Sequence, residues 1–297
     1  MNQSGELRAR LTDSGYPLTL DGAMGTELLR RGVATPVPLW SAPANVEHPQ
    51  VVAQIHADYV AAGCELITTN TFRTTFYAME RAGRLADWER WNRQAVVLAR
   101  RAAEKRAFVL ASITTLEDCY RSDLVPKPHV LRYYHDRQAA LLASLEIDGF
   151  LLETFNTLRE LDAAFEATGK HDLPVLASVV LKNGAALYDG TPLGRLVDWA
   201  MAARPDVLLV NCAAPAVLDA ALRYLKDRVD LPLGAYANVG KPGGEMGFEF
   251  THDCSPEQYA RWAARWVDLG VRVIGGCCGT TPDYIRALRQ VICCPQS

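Results

Sequence analysis

Apolar residues in this chain gather into short runs that alternate with longer stretches of helical period. The runs are Leu18 to Asp21, Leu66 to Asn70, Phe108 to Ile113, Phe150 to Glu153, Val175 to Val180, Val207 to Asn211, Leu233 to Asn238 and Val271 to Gly275. They are too short for core helices and rich in Val, Leu and Ile, which predicts strands buried on both faces. Amphipathic stretches rich in Ala, Leu and Arg follow each run: Thr26 to Arg31 with Pro49 to Ala62, then Asp87 to Lys105, Val130 to Leu145, Leu158 to Gly169, Leu193 to Arg204, Val217 to Arg228, Pro256 to Leu269 and Pro282 to Val291. Strand followed by helix, repeated eight times without a long linker, predicts a (β/α)8 TIM barrel occupying residues 1–297 as a single domain. An open doubly wound sheet is the competing arrangement.

Composition narrows the partners. A chain of 297 residues that is 49% hydrophobic buries a large core, and a formal net charge of −3 gives no reason to expect nucleic acid or an anionic membrane as a partner. No run of about 18 apolar residues is present, and the segment Met1 to Glu6 has no signal-peptide pattern, so the expected location is cytoplasmic. Eight cysteines in such a chain are expected to be reduced thiols.

The cysteines carry the candidate chemistry. Cys277 and Cys278 stand side by side in Gly275-Gly276-Cys277-Cys278-Gly279, at the end of the last apolar run, and Cys212 ends the run Val207 to Asn211. In a barrel, the C-terminal ends of strands form the functional face, and Asp21, Asn70, Glu153, Cys212, Asn238, Cys277 and Cys278 all fall at or just past such ends. Three thiolates without an obvious fourth side-chain partner describe a zinc site that keeps one position for a substrate. A zinc ion (Zn2+) held by three sulfurs is a weak Lewis acid for hydrolysis but suits the deprotonation of a bound thiol. The reaction this predicts is displacement by sulfur at an electrophilic carbon, most simply a methyl group on a cationic donor. A closed four-cysteine site completed by Cys64 or Cys119, and a redox pair at Cys277 and Cys278, are the rival readings; otherwise Cys64, Cys119 and Cys254 are expected to be packing or surface thiols, and the vicinal pair Cys293 and Cys294, near the C-terminus after a helical pattern, is not expected to supply ligands.

Several segments carry a resemblance: Leu20-Asp21-Gly22-Ala23-Met24-Gly25-Thr26-Glu27-Leu28, Leu39-Trp40-Ser41, Thr68-Thr69-Asn70-Thr71-Phe72, Glu153-Thr154-Phe155, Asp189-Gly190-Thr191-Pro192-Leu193, Val210-Asn211-Cys212, Tyr236-Ala237-Asn238-Val239-Gly240 and Gly275-Gly276-Cys277-Cys278-Gly279-Thr280-Thr281-Pro282. Together they resemble the homocysteine S-methyltransferase family, over about residues 15 to 292. The resemblance implies a zinc-dependent barrel with Cys212, Cys277 and Cys278 as ligands, homocysteine as acceptor and a small methyl donor, with S-methylmethionine or S-adenosylmethionine as the expected donor. It also implies that Glu153 receives the homocysteine amino group, that the backbone around Asp21 and Gly22 holds the amino-acid end, and that Asn70 and Asn238 belong to the substrate site.

Each role has a plainer rival. Glu153 at a strand end suits capping the helix that starts near Thr157, and Asp21 before Gly22 suits a turn. Where the family carries a Gly-Ser-x-Gly-Pro-Tyr-Gly segment after the third strand, this chain has Ala111 to Arg121, including Glu117, Asp118, Cys119 and Tyr120. That departure bears on the donor side, where Glu117 and Asp118 offer charge and Tyr120 and Trp40 offer aromatic faces to a cation. The segment Gly243 to Gly247 reads as a loop able to close beside the site.

Overall fold

The structure is a computed structural model that describes residues 3–13, 15–242, 248–250 and 254–293. The Gly243 to Gly247 segment and Cys294 therefore lie outside the described residues. Eight parallel strands form the barrel: β1 (Leu18–Thr19), β2 (Leu66–Thr68), β3 (Phe108–Ile113), β4 (Gly149–Phe155), β5 (Val175–Asn183), β6 (Val207–Asn211), β7 (Leu233–Ala237) and β8 (Val273–Gly276). β1 pairs with β8, and a parallel bridge between Leu20 and Leu66 brings β1 to β2 and closes the ring. The chain is a (β/α)8 barrel, and the open-sheet alternative is excluded by that closure.

The continuous apolar runs follow from this geometry, because each strand buries one face in the barrel lumen and the other under helices. Leu18, Leu20, Leu66, Leu110, Leu151, Leu176, Val207, Leu209, Tyr236 and Val273 fill the lumen, while Val109, Phe150, Leu152, Val210 and Ile274 pack outward against the helices. Helix starts are locally encoded: Thr157 accepts from the Glu160 N–H, and Ser255 with Gln258 forms a capping box. The helices predicted from Val130 and Val217 begin two residues earlier, at Pro128 and Pro215, which take the first helical position where a missing N–H costs nothing.

Three α-helices among the described residues go beyond the sequence reading, one of them the single turn Ala44–Glu47 ahead of the helix at Pro49. Phe76–Arg81 follows β2, and Gln3–Thr12 closes the N-terminal end of the barrel by burying Leu7 and Leu11 completely against the lumen. Only two leucines four apart mark that helix, too sparse a stripe to stand out. Leu11→Ala is expected to cost about 2–5 kcal/mol, as for other fully buried leucines, while leaving metal content unchanged. Urea unfolding of the variant beside a zinc assay checks both halves of that expectation.

Candidate metal centre and substrate cavity

The three candidate ligands arrive from two strand ends held against each other. β6 ends at Asn211, whose amide donates to the Thr154 hydroxyl at 2.9 Å and accepts from the Ser178 hydroxyl at 2.8 Å. Cys212 follows in the left-handed region, φ +54°, while its N–H still donates to the Tyr236 carbonyl at 3.1 Å. That turn lifts its side chain out of the strand direction. After β8, the Cys277 N–H donates to Ala237 and the Cys278 carbonyl accepts from Val239, tying the vicinal pair to the end of β7. Gly276 is required there by close approach: a Cβ would stand 2.3 Å from the Thr280 hydroxyl, which itself donates to the Cys277 carbonyl at 2.7 Å.

The three sulfurs lie within 4.8 Å of one another, with Cys212 and Cys278 at 4.0 Å. Zinc–sulfur bonds of about 2.3 Å at tetrahedral angles require sulfurs about 3.8 Å apart, so a small contraction brings this set onto a metal. The cluster can hold a metal ion. Cys64 and Cys119 are outside the group, though Cys119 is buried in the cavity wall nearby. The closed four-cysteine reading has no support in this arrangement. Asn238 donates to the Cys212 carbonyl at 3.0 Å, and its buried Oδ1 has no partner among the described residues. The Cys212 thiol is held well below the ordinary cysteine value, because the thiols of Cys277 and Cys278 hydrogen-bond to its sulfur and Tyr120 and Asn238 add to the effect.

A cavity of about 890 Å³ opens from the sulfurs and is lined by Asp21, Gly22, Asn70, Glu153, Trp40 and Tyr120, among others. Asn238 is absent from that wall and stands behind Cys212. Glu153 sits in an irregularity of β4, where the register shifts between Leu152 and Phe155 and Thr154 adopts φ +65°. Such bulges re-aim side chains, and here Glu153 turns inward to a short hydrogen bond from the Ser112 hydroxyl. It does not cap the following helix, since Thr157 does. Burial pushes the Glu153 carboxyl up to about 7; the Ser112 hydrogen bond opposes this and negative charge at Cys212 adds to it.

Asp21 is buried, and its carboxylate accepts from the Thr68 N–H at 2.8 Å and from the Thr68 hydroxyl, so it joins β1 to β2. Burial nevertheless holds it well above the usual carboxylate range. Gly22 leaves no room for a side chain, a Cβ lying 2.7 Å from the Tyr59 hydroxyl. The Asn70 amide is engaged by Ser41 and Asn45, with Nδ2 donating to the Ser41 carbonyl at 2.9 Å and Oδ1 accepting from the Ser41 hydroxyl at 2.7 Å. Its place is in the wall rather than as an open donor.

The segment after β3 is built rather than loose. The Leu116 N–H donates to buried Glu160 at 2.8 Å, Arg73 donates to the Glu117 carbonyl at 3.2 Å, and Asn156 donates to the Asp118 carbonyl at 3.3 Å. The Glu117 carboxylate is taken by the Tyr77 hydroxyl and lies 3.6 Å from Arg81, so its charge is already met. Tyr120 sets its hydroxyl 3.1 Å from the Cys212 sulfur and its ring edge-on to Tyr188, 5.5 Å between centroids. Trp40 packs on Gly25 and meets Phe72 edge-on at 6.1 Å. Sequence reasoning missed Ser112, Tyr188 and the lumen-facing Tyr236; only strand alternation from Leu209 across the β6–β7 register carries a signal for the last.

A family model described as homocysteine S-methyltransferase matches residues 18–292. The chain belongs to the homocysteine S-methyltransferase family. It is 32% identical to the homocysteine S-methyltransferase of Escherichia coli K12, over 97% of this chain and 99% of that one. The selenocysteine Se-methyltransferase of Brassica oleracea is 24% identical, over 96% and 91%. Among solved structures, the metallated form of the E. coli homocysteine methyltransferase MmuM superposes with a TM-score of 0.82 at 30% identity, over 95% of this chain and 99% of that chain. Membership of this family makes the chain a methyltransferase enzyme and homocysteine its expected acceptor. Among the described residues no helix is long and apolar enough to cross a membrane.

Proposed function

We propose that this single barrel domain is a zinc-dependent S-methyltransferase that moves a methyl group from a cationic sulfonium donor, S-methylmethionine or S-adenosylmethionine, to homocysteine. The observation that carries the reading is the convergence of Cys212, Cys277 and Cys278 at the floor of the cavity. Zinc bound at these sulfurs would supply one chemistry, the deprotonation of the homocysteine thiol with its nucleophilicity kept.

The protein's own residues do the rest. Glu153 receives the homocysteine ammonium. The Asp21 N–H and carbonyl are already paired with Leu66 and Gly276, which leaves the Gly22 N–H, unpaired among the described residues, for the amino-acid carboxylate. Buried Asn70 and Asp21 hold the wall on which that end rests, and Asn238 fixes the backbone of Cys212. Trp40, Phe72, Tyr120 and Tyr188 line the cavity, exclude water and supply aromatic rings whose faces attract the methyl-bearing cation, whose charge is lost as the methyl leaves. In the transfer a sulfur–carbon bond forms to homocysteine, the donor's bond to that carbon breaks, and the donor departs neutral.

Incubation of the zinc-loaded protein with homocysteine and a donor panel, read as methionine by mass spectrometry, tests the reading. Turnover with sulfonium donors is expected; turnover only with a corrinoid protein or betaine would contradict it. A second reading, a selenol acceptor, is supported by the resemblance to the Brassica enzyme, and selenocysteine belongs in the same panel.

Because Glu153 is protonated below about 7, ammonium binding at lower pH must first expel a proton. The affinity Glu153 adds is therefore lost as pH falls, by up to tenfold per unit. Homocysteine ionisation affects wild type and variant alike, so the ratio of KM in Glu153→Gln to KM in wild type should rise from pH 5.5 to about 7 and then level. A flat ratio would remove the ammonium from Glu153.

A further inference from the structure

The departure after β3 has a consequence at the metal centre. Of the three ligand sulfurs, Cys212 alone meets a hydroxyl among the described residues, that of Tyr120 at 3.1 Å. The residue is presented by a segment whose backbone is fixed by Glu160, Arg73 and Asn156, and by its own N–H, which donates to Asp118 at 2.8 Å. Its ring is held edge-on to Tyr188. A phenol held this firmly against a sulfur in the cavity wall is a preorganised donor. Three thiolates around one divalent ion carry an excess negative charge, and each hydrogen bond donated to a ligand sulfur withdraws part of it.

We infer that the Tyr120 hydroxyl donates a hydrogen bond to the Cys212 sulfur in the metal-loaded enzyme and sets how strongly that sulfur donates electrons to the metal. Tyr120 is thus a positioning residue of the centre, acting through Cys212. The inference rests on the three-sulfur reading of the metal site. It makes the ligand set unequal, with Cys212 the weaker electron donor and Cys277 and Cys278 the stronger ones. It also gives the segment 114–121 a role at the metal as well as in the cavity wall.

The test uses the full chain. Zinc affinity is measured by chelator competition at fixed pH for wild type, Tyr120→Phe and Cys278→Ala, and the sulfur-to-metal charge-transfer band is recorded after cobalt loading. Tyr120→Phe keeps the ring against Tyr188 and loses only the donor. Its zinc affinity is expected to fall about 10-fold, the lower end for loss of an outer partner, and its band to move to longer wavelength. Incorporation of 3-fluorotyrosine at position 120, a stronger donor, should move the band the other way, which keeps the test decisive even if the phenylalanine variant folds poorly. An unchanged affinity and band in Tyr120→Phe, beside tight wild-type binding, would overturn this inference alone. Tyrosinate absorption appearing on metal addition would also overturn it, by making Tyr120 a ligand. Wild-type binding no tighter than Cys278→Ala would overturn the metal reading and this inference with it.

Discussion

Cys278→Ala is expected to abolish methionine formation and to lower zinc affinity by more than the roughly 10–100-fold typical of losing an outer-shell partner, because in the proposed three-sulfur site it removes a direct ligand. The fold is expected to survive the change. Cys278 is half-buried at the barrel mouth, whereas closure of the barrel depends on Leu18, Leu66, Leu110, Leu151 and their neighbours in the lumen. A stability change within about 1 kcal/mol is therefore expected by urea unfolding. Added zinc should not restore turnover, since two remaining sulfurs leave the ion without a fixed geometry. A Cys278→Ala protein that retained stoichiometric zinc and measurable turnover would show that the metal is held elsewhere.

Gly276→Ala is expected to be nearly as damaging although the residue brings no functional atom. The new Cβ would lie 2.3 Å from the Thr280 Oγ1 and 2.7 Å from its Cβ, and Thr280 cannot withdraw freely while its hydroxyl donates to the Cys277 carbonyl and accepts from the Ala23 N–H. The strand end must move, and Cys277 and Cys278 move with it. A displacement of about 1 Å at a reacting centre costs on the order of 100-fold in rate, and overpacking of this kind costs about 1–3 kcal/mol in stability. The pairing of a large loss in kcat with a modest shift in unfolding midpoint is the signature to measure. Gly83→Ala, at a glycine with no neighbour within 4 Å of its Cβ but φ +67°, serves as a control that strains backbone without touching the centre.

Much of this arrangement is legible in the chain itself, for physical reasons. Barrel strands are buried on two faces, so they appear as unbroken apolar runs, and cysteines placed at the ends of two such runs are brought to the same mouth of the barrel, where the sulfurs of Cys212, Cys277 and Cys278 converge. The errors are equally physical. Val271 reads as strand but belongs to the helix end, where its N–H donates to the Trp266 carbonyl, and pairing starts at Val273. β4 runs through Glu153 to Phe155 because a bulge, which no residue pattern announces, lets the strand continue while Glu153 turns inward. The contact between Tyr120 and Cys212 joins residues 92 positions apart and depends on how the segment after β3 is anchored by Glu160 from a distant helix. Asn70, expected in the substrate site from its place past a strand end, does line the cavity, while its amide is taken up by Ser41 and Asn45, partners that only the folded loops bring near.

Zinc-edge X-ray absorption on the loaded protein, before and after addition of homocysteine, tests the account most directly. Three sulfurs at about 2.3 Å with one lighter atom are expected first, and four sulfurs once homocysteine is present. Four sulfurs before homocysteine is added, or a spectrum that homocysteine leaves unchanged, would contradict a metal centre built to receive the substrate thiol.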